Sequence, residues 1–270
     1  MQYLNREQAA LPEAIWTPID AAAVRAAREV LTARRFLDLE GPYGVGLTAI
    51  EVGEDTFCRE PAPGEAGAIL SRAVSVPMLR KSCRLSIRRV EAYRYLGQPL
   101  DLSPIEEAAE AVARREEELV YYGEEAFGLE GLLTAKGRHE VSGGNWGKVE
   151  QALNNVLSAV ETLDEAGYHG PYALALSAPH YNQLFRRYEG TDMLQLDHLK
   201  RLCELGVYKA PIKGAALVDA HAGRLVLGQD IQVGFSANDG IHYHLFVSES
   251  LVFRLESAKA VCTLWSPPGD

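Results

Sequence analysis

Apolar residues recur at helical spacing near the start of the chain, just after residue 17. Thr17 can cap a helix, Pro18 suits its first turn, and Asp20 places an acidic group there. The apolar stripe that follows, with steps of three and four residues, consists of Ile19, Ala23, Ala27, Val30 and Leu31. We therefore predict a first helix that ends near Arg34.

A second helix has the clearest starting signal in the chain. Ser103 and Glu106 form a capping-box pattern around Pro104. Gly123 can end this helix after Tyr122. Its buried stripe is predicted to contain Ile105, Ala108, Ala109, Val112, Leu119 and Val120. Its acidic residues are predicted to lie on a solvated face with Arg114 and Arg115 as partners: Glu106, Glu107, Glu110, Glu116, Glu117 and Glu118.

A third long helix is predicted from about Trp146 to Ala166, with Gly167 as its C-terminal cap. Its apolar positions fit the helical template and consist of Val149, Ala152, Leu153, Val156, Leu157, Val160 and Leu163. Beyond it we predict a strand at 172–177, a helix from Pro179 to about Tyr188, and a helix at 196–205.

From Val207 onward the pattern changes to short apolar runs separated by turn residues. The predicted strands are Ala215–Val218, Leu225–Leu227, Ile231–Phe235, Ile241–Val247 and Leu251–Leu255. Helices and strands are mixed without a regular βαβ alternation. This pattern favours an α+β fold over a doubly wound α/β fold.

Residues 46–76, here called the arm, have a different sequence pattern from the rest of the chain. Two β-prone pieces, Leu47–Val52 and Ala68–Val76, flank a tip at 60–67 that is rich in proline and glycine. An isolated two-stranded hairpin is marginally stable in water. We therefore expect the arm to rest against something else.

The composition indicates a globular protein. The chain has 270 residues, 47% of them hydrophobic and 24% charged, which suggests one large domain or two closely associated ones. Its net charge of −10 argues against general nucleic-acid binding. No apolar run reaches the ~18 residues of a membrane span. The first ten residues do not resemble a secretory signal, so a cytoplasmic location is expected.

The four cysteines show no metal-binding spacing. Cys58, Cys83, Cys203 and Cys262 are widely scattered and form no CxxC pair. We expect reduced, mostly buried thiols. The alternative is an inter-subunit disulfide through Cys58 in the arm.

Three constellations invite a catalytic or ligand-binding interpretation. His242 and His244 share one face of a predicted strand near Asp239, an arrangement that can begin a metal site. No clear third ligand is signalled, so a solvated strand face or a structural pair of histidines is the simpler interpretation. The others are an imagined triad of Ser177, His180 and Asp164, without a nucleophile-elbow motif, and the Gly143–Asn145 loop, without a Walker lysine pattern.

Several segments, in order, resemble encapsulins, the bacterial and archaeal shell proteins with the HK97 fold of tailed-phage major capsid proteins. The most informative is Asp38–Gly44, which resembles the segment after the first long helix of that family. The others are Leu4–Arg6, Ile19–Asp20, Leu102–Ser103, Glu117–Val120, Gly128–Leu133, Gly170–Tyr172, Leu227–Ile231 and Gly234–Phe235. Each is short, but together they cover nearly the whole chain.

The resemblance implies an HK97-type division of the chain. Residues 1–45 would form the N-terminal helix and the start of a peripheral domain, and 46–76 the extended loop. Residues 77–127 would form the peripheral domain with its spine helix, and 128–224 the axial domain. Residues 225–270 would return to the peripheral domain and form the tail.

The resemblance also implies two functional regions. In encapsulins a groove beside the N-terminal helix holds a cargo protein's C-terminal targeting peptide. The matching positions here are Arg35, Phe36, Asp38, Leu39, Ile231 and Phe235, for which core packing is the alternative for Phe36, Leu39 and Ile231. The five-fold pore loop would comprise Arg187, Tyr188, Glu189, Gly190, Thr191 and Asp192, for which an ordinary solvated loop is the alternative.

No cofactor is implied for the shell itself. Some family members stack a flavin on a tryptophan before the spine helix, but Arg88 stands at that place here. The resemblance therefore does not imply flavin binding by this chain.

The resemblance implies that the chain is not an enzyme but a shell subunit, present in ~60 copies or a multiple. The cargo would be a ferritin-like iron-oxidising protein or a peroxidase, in iron storage or oxidative-stress defence. No nucleic acid and no membrane partner are expected. The alternative is a prophage major capsid protein that packages DNA, and a more distant alternative is a monomeric hydrolase or metalloenzyme.

Overall fold

A computed structural model describes residues 2–53, 55–144, 146–188 and 192–265. Its α-helices are α1 (Glu13–Val30), α2 (Ile87–Leu96), α3 (Ser103–Tyr122), α4 (Gln151–Glu165), α5 (Ala178–Gln183) and α6 (Gln195–Leu202). Short 3-10 helices lie at Gln2–Leu4, Arg6–Ala9, Ala33–Arg35, Glu125–Phe127, Ala220–Ala222 and Ala258–Ala260.

The strands of the described residues are mostly short, apart from two long ones near the end. They are β1 (Asp38–Glu40), β2 (Ala49–Glu51), β3 (Thr56–Phe57), β4 (Ile69–Leu70), β5 (Ala73–Ser75), β6 (Met78–Ser86), β7 (Gly123–Glu124), β8 (Leu129–Glu130), β9 (His139–Ser142), β10 (Tyr172–Leu176), β11 (Gly206–Lys209), β12 (Ala215–Asp219), β13 (Gly223–Asn238), β14 (His242–Leu255) and β15 (Val261–Trp265).

The chain divides into two compact units. The first contains the chain up to Val30, Glu40–Glu116 and Val226–Arg254. It holds most of a four-stranded sheet with the order β1-β13-β14-β6, in which β6 pairs antiparallel with β14 along its whole length. The arm also belongs to this unit, where β2 pairs with β5 and β3 with β4.

The second unit contains Leu31–Leu39, Glu117–Leu225 and the chain from Leu255 onward. Its five-stranded sheet has the order β11-β10-β12-β15-β9. All five residues of β10 and of β12 are buried. Because both faces of these strands are covered, they read as continuous apolar runs rather than alternating ones. The core on this sheet includes Trp146, Val156, Leu163, Leu174, Leu199 and Leu217.

The first helix begins earlier and ends earlier than predicted. α1 runs from Glu13 to Val30, so Pro18 lies inside it. The Thr17 hydroxyl donates to the Glu13 carbonyl at 3.1 Å, which is a bond within the helix and not a cap. The prediction of a cap at Thr17 was therefore wrong, although the buried stripe with Ile19, Ala23 and Ala27 is confirmed.

The bounds of α3 agree with the prediction, but its capping box does not form. The Ser103 hydroxyl and backbone N–H both donate to Asp101 Oδ1, at 2.8 and 3.1 Å. Glu106 instead forms an ion pair with Arg25. The cap is thus supplied by an acidic residue two positions before Ser103, a local Asx-type arrangement that competes with the capping box.

The predicted solvated face of α3 is wrong at two positions. Glu110 does pair with Arg114 at 2.8 Å in the first unit. Glu116 and Glu117, however, are fully buried. A buried carboxylate requires partners, and Glu117 has them: it accepts from the backbone N–H groups of Thr32 and Ala33, at 2.9 and 3.0 Å, and from the Thr32 hydroxyl.

α4 begins at Gln151, five residues later than predicted. Trp146 lies outside the helix yet is 1% exposed, whereas Val149 and Leu157, which the pattern placed in the buried stripe, are 37% and 39% exposed. α5 likewise ends at Gln183 rather than near Tyr188.

Two pairs of predicted strands are single long strands. β13 joins the runs at 225–227 and 231–235, and β14 joins those at 241–247 and 251–255. The residues taken for turns lie inside the ladders. Gly228 is required there by close packing, since a Cβ at this position would lie 2.4 Å from Ser250 Oγ. β6 and β15 were not predicted as strands.

Candidate peptide-binding and pore regions

The first four groove positions lie in the second unit, directly after α1. Phe36 is 8% exposed, and its ring stacks on Tyr208 with a centroid distance of 5.8 Å and an angle of 23°. Leu39 is 50% exposed, and Arg35 and Asp38 are exposed as well. Phe36 thus packs in the core of its unit, as does Leu37, while Arg35, Asp38 and Leu39 are accessible to a ligand.

The last two groove positions lie in the first unit, on β13. Ile231 is 9% exposed and Phe235 is 6% exposed, on the same face as the fully buried Val233. Side chains two residues apart share a face of a strand. Phe235 is therefore largely committed to packing.

Ile231 also lines a cavity of about 900 Å³ within the first unit. The other lining residues are Leu4, Asn5, Arg6, Glu7, Gln8, Asp20 and Gln232. Leu4 and Ile231 are the apolar residues of this lining, and the other six are polar or charged. Such a wall offers mainly hydrogen-bonding groups to an extended peptide, with a small apolar contact at Leu4 and Ile231.

Arg6 fixes the wall of this cavity. Its two terminal nitrogens donate to the two carboxylate oxygens of Asp20, at 2.8 and 2.6 Å, and its Nε donates to the Val233 carbonyl at 2.8 Å. Its guanidinium also lies 4.5 Å from the Trp16 ring centroid. A bidentate pair of this kind is geometrically specific. It holds the N-terminal segment, α1 and β13 of one unit in a defined arrangement.

The predicted pore loop connects α5 and α6 in the second unit. Arg187 forms an isolated bridge with Leu194 and an ion pair with Asp192 at 3.1 Å. The Tyr188 ring meets the His198 ring edge to face at 4.9 Å, and burial raises the pKa of Tyr188. Glu189, Gly190 and Thr191 lie outside the described residues. Among the residues of this loop that the structure describes, Arg187 carries a positive charge and Asp192 a negative one.

The arm exposes apolar side chains that its own strands do not cover. Ile69 and Leu70 of β4 are 58% and 61% exposed. Asp55 accepts a hydrogen bond from the Ser71 hydroxyl at 2.6 Å. Each arm strand packs chiefly on its hairpin partner. The arm is therefore one interrupted two-stranded hairpin, in which the β3–β4 pair lies nested between β2 and β5, and its strands do not cover Ile69 and Leu70.

The two histidines of β14 are engaged with an acidic residue. Asp239 Oδ2 lies 2.8 Å from His244 Nε2 and 3.5 Å from His242 Nδ1. The hydrogen bond from His244, followed by those from two backbone N–H groups, lowers the pKa of Asp239. Within the described part of the chain, no group of three or more His, Cys, Asp or Glu residues is arranged to hold a metal ion.

The imagined triad is not assembled. The Ser177 hydroxyl lies 2.7 Å from His180 Nδ1, at the start of α5. Asp164 instead accepts from His169 Nδ1 at 2.9 Å and from the Tyr172 hydroxyl at 3.0 Å. The contact between Ser177 and His180 is local to one turn.

The cysteines differ in burial. Cys203 and Cys262 are buried, Cys83 is half-buried and Cys58 is exposed. Burial raises the pKa of Cys203 and of Cys262 to about 12, and that of Cys83 to about 11. A buried thiol of raised pKa is chemically inert. An inter-subunit disulfide through Cys58 stays a prediction.

Two contacts that hold distant segments together were not predicted from the sequence. The Arg6–Asp20 pair joins residues 14 positions apart, and Glu117 caps a segment 84 positions before it. Helical periodicity carries no signal for either contact. The only hint was the helical position of Glu117, which lies three residues before Val120 of the predicted buried stripe.

Comparison with known proteins gives a consistent result. A family model described as "Encapsulating protein for peroxidase" matches residues 1–252. A type 1 encapsulin shell protein of Myxococcus xanthus is 31% identical over 97% of this chain and 96% of its own length. One of Mycobacterium tuberculosis is 27% identical over 98% of this chain and 99% of its own. A diheme-cytochrome–encapsulin shell fusion protein of Kuenenia stuttgartiensis is 30% identical over 92% of this chain and 72% of its own.

Solved structures show the fold. A virus-like particle from Pyrococcus furiosus matches with a TM-score of 0.70 and 19% identity over 91% of this chain and 97% of that one. The capsid of the Myoviridae phage XM1 matches with a TM-score of 0.59 and 13% identity over 87% and 91%. The predicted α+β fold of the HK97 type is confirmed. No described helix is both long and apolar enough to cross a membrane.

Proposed function

The chain belongs to the encapsulin family of shell proteins, and from this premise we propose that it assembles with copies of itself into a closed, capsid-like particle. The likeness to the Myxococcus xanthus shell protein over 97% of the chain carries this proposal. The apolar side chains left open on the arm support it, because a sister copy would cover them. Icosahedral closure requires ~60 copies or a multiple.

In this proposal the subunit is structural and performs no chemistry itself. Its function is to keep a cargo enzyme inside the cytoplasmic particle. The name of the matching family model supports a peroxidase as cargo. A ferritin-like iron-oxidising protein is the other cargo class that the resemblance implies, with a role in iron storage or oxidative-stress defence.

The cargo would be held through its C-terminal targeting peptide. The exposure of Arg35, Asp38 and Leu39 supports this, since a peptide can reach these side chains. The cavity beside Ile231, which lies within the first unit, is a separate candidate for contact with an extended peptide. Phe36 contributes as packing beneath the site, because its ring lies against Tyr208.

The loop from Arg187 to Asp192 would line a passage for small solutes. Its mixed charge, from Arg187, Glu189 and Asp192, supports passage of small ions or metabolites. No nucleic acid is proposed as contents. The likeness to phage capsids is 13% in identity for the phage XM1 chain and shows the fold alone.

The first test is particle formation. Size-exclusion chromatography and negative-stain electron microscopy should show a hollow particle on the order of 1.8 MDa from a 29.6 kDa chain. A stable single subunit at micromolar concentration would contradict the proposal.

The second test concerns the groove. Leu39→Asp should leave particles intact and reduce the co-purified cargo by about tenfold, since an apolar anchor loses its pocket. Leu157→Asp, at a residue that is 39% exposed, is the control and should retain the cargo. Mass spectrometry of purified particles measures the ratio. An equal loss of cargo from both variants would show that Leu39 does not contribute to peptide binding.

A further inference from the structure

A methionine sulfur on the surface of the first unit holds an aromatic residue from the start of the chain. Met78 begins β6 and is 43% exposed, so its side chain is open to small solutes. The Tyr3 hydroxyl donates a hydrogen bond to Met78 Sδ at 3.0 Å. A thioether is a weak acceptor and is also an oxidisable group. This contact therefore joins Tyr3 to a chemically reactive partner.

The ring of Tyr3 rests on a rigid aromatic neighbour. It meets the Phe246 ring edge to face, with a centroid distance of 5.6 Å and an interplanar angle of 65°. Phe246 is 2% exposed. Its other contact is Arg80, whose guanidinium lies 3.7 Å from the Phe246 ring centroid and donates to the Ser236 hydroxyl at 3.0 Å. Tyr3 is thus held at two points, by its ring on Phe246 and by its hydroxyl on the sulfur.

Two polar contacts of different chemistry attach residues 2–9, here called the N-terminal segment, to the first unit. One is made by Arg6, which binds the Asp20 carboxylate and the Val233 carbonyl. Peroxide oxidises none of these groups. The other is made by Tyr3 and depends on the sulfur of Met78. The segment therefore combines a permanent attachment with one that an oxidant can alter.

The other sulfur groups compete weakly for an oxidant, with one exception. Cys83 lies on the same strand as Met78, and burial raises its pKa to about 11, so the thiol is protonated at neutral pH and reacts slowly. The two cysteines of the second unit are buried. Cys58 is exposed and is the exception. Within the residues that the structure describes, the other methionine, Met193, is less exposed than Met78.

We propose that Met78 is a site of sulfoxide formation by hydrogen peroxide, and that this modification releases Tyr3 from the surface of the first unit. The sulfur attacks one peroxide oxygen, so that an S–O bond forms while the O–O bond breaks. The sulfur loses two electrons, and the second oxygen takes the proton of the first and leaves as water. Methionine sulfoxide is reduced back by dedicated reductases, so the modification is reversible.

The Tyr3 hydroxyl sets the stereochemistry of this reaction. A thioether sulfur has two lone pairs, and the Tyr3 hydroxyl occupies one of them, so peroxide reaches the other. Attack from a single side yields one of the two sulfoxide epimers. In that product the sulfur is poor in electrons and its oxygen points away from Tyr3. The hydroxyl then loses its acceptor, and the N-terminal segment opens more often.

The first test measures the epimers formed at Met78. Mass spectrometry follows the sulfoxide, and treatment with each of the two methionine sulfoxide reductases distinguishes the epimers, because each enzyme reduces one. In the Cys58→Ser protein, peroxide should oxidise Met78 before Met193 and give about a fivefold excess of one epimer. Tyr3→Phe keeps an aromatic ring against Phe246 but frees the lone pair. It should give nearly equal epimers and oxidise about twofold faster.

The second test measures hydrogen exchange of the N-terminal segment. Oxidation of the Cys58→Ser protein should speed exchange at residues 2–9 about fivefold, because their local opening becomes less costly. Both reductases together should restore the slow exchange. Met78→Leu keeps an apolar side chain but has no sulfur, so it should exchange fast before peroxide and show no further change afterwards. Cys58→Ser without peroxide is the control and should exchange like the wild-type chain.

Three results would overturn the inference. One is an equal mixture of epimers with Tyr3 present, and another is unchanged exchange of residues 2–9 when Met78 is fully oxidised. The third is oxidation of Met193 ahead of Met78. All the contacts involved lie within the first unit of one subunit. Failure of the chain to form particles would therefore contradict the proposed function and leave this inference unaffected.

Discussion

The five-stranded sheet of the second unit and the arm of the first contain similar β-prone, apolar residues but bury them very differently. Leu174 in β10 is 0% exposed, whereas Leu70 in β4 is 61% exposed. The sheet is covered by α4 and α6 and completes its own core. The arm strands meet chiefly each other. The sheet thus buries its apolar side chains when one subunit folds, whereas the arm leaves apolar side chains exposed on the single subunit.

The energetic difference follows from burial. Full burial of a leucine or isoleucine side chain stabilises by about 1.5–3 kcal/mol. The sheet gains this contribution when one subunit folds. In the proposed assembly, the arm would gain it for the exposed Ile69 and Leu70 only when a second copy covers them. Subunit stability and particle stability should therefore respond to different mutations.

The largest expected effect is a truncation in the sheet, compared with the same truncation in the arm. Leu174→Ala should lower the free energy of unfolding of the dissociated subunit by about 2–5 kcal/mol, because it leaves a cavity in a closed core. Leu70→Ala should change it by less than about 0.5 kcal/mol and instead reduce the yield of particles. Urea titration and native gels measure the two quantities. A similar loss of subunit stability from both substitutions would break the comparison.

A smaller effect is expected where the second unit buries a carboxyl group. Glu117→Ala should destabilise the subunit by about 2–3 kcal/mol, because it leaves the buried backbone N–H groups of Thr32 and Ala33 without an acceptor. Glu107→Ala, on the exposed side of the same helix, is the control. Thermal unfolding followed by circular dichroism compares the two. Equal stabilities would mean that the segment at Thr32 relaxes and finds other partners.

The same contrast explains what the sequence could predict. The bounds of α3 and the apolar strands β10 and β12 follow local patterns, and they were predicted within one or two residues. α4 was predicted to start at Trp146, because a large apolar residue in a loop looks like part of the helical stripe. Trp146 is in fact a core residue that the loop delivers from outside the helix. Periodicity reports burial, but it does not report which element supplies the residue.

The candidate groove shows a second limit. The resemblance assigned Phe36 and Leu39 the same role, yet Phe36 is 8% exposed and Leu39 is 50% exposed. The partner that buries Phe36 is Tyr208, which lies 172 positions later. This contact, like that between Arg6 and Asp20, is set by tertiary packing, and the local sequence pattern does not predict it. The exposed positions are therefore the ones to mutate first.

The smallest expected effect is a pH dependence of stability, which arises in the second unit. Burial lowers the pKa of His180, whose ring contacts Ser177 and meets the Trp146 ring at 5.0 Å. A histidine with a lowered pKa binds protons less readily in the folded state than in the unfolded state. Stability is therefore full above the unfolded pKa, about 6.5, and declines as pH falls from there toward the folded value.

The Tm of the wild-type subunit should thus decrease slightly between pH 7 and pH 5, and His180→Gln should flatten that decrease. Glutamine does not titrate but can still hydrogen-bond to Ser177. Asp164 affects stability at lower pH than His180 does, because hydrogen bonds from His169 and then Tyr172 lower the pKa of Asp164. Its contribution is present above about pH 3.9 and is lost as pH falls further. Calorimetry at four pH values separates the two windows. An unchanged slope in His180→Gln would show that another group titrates between pH 5 and pH 7.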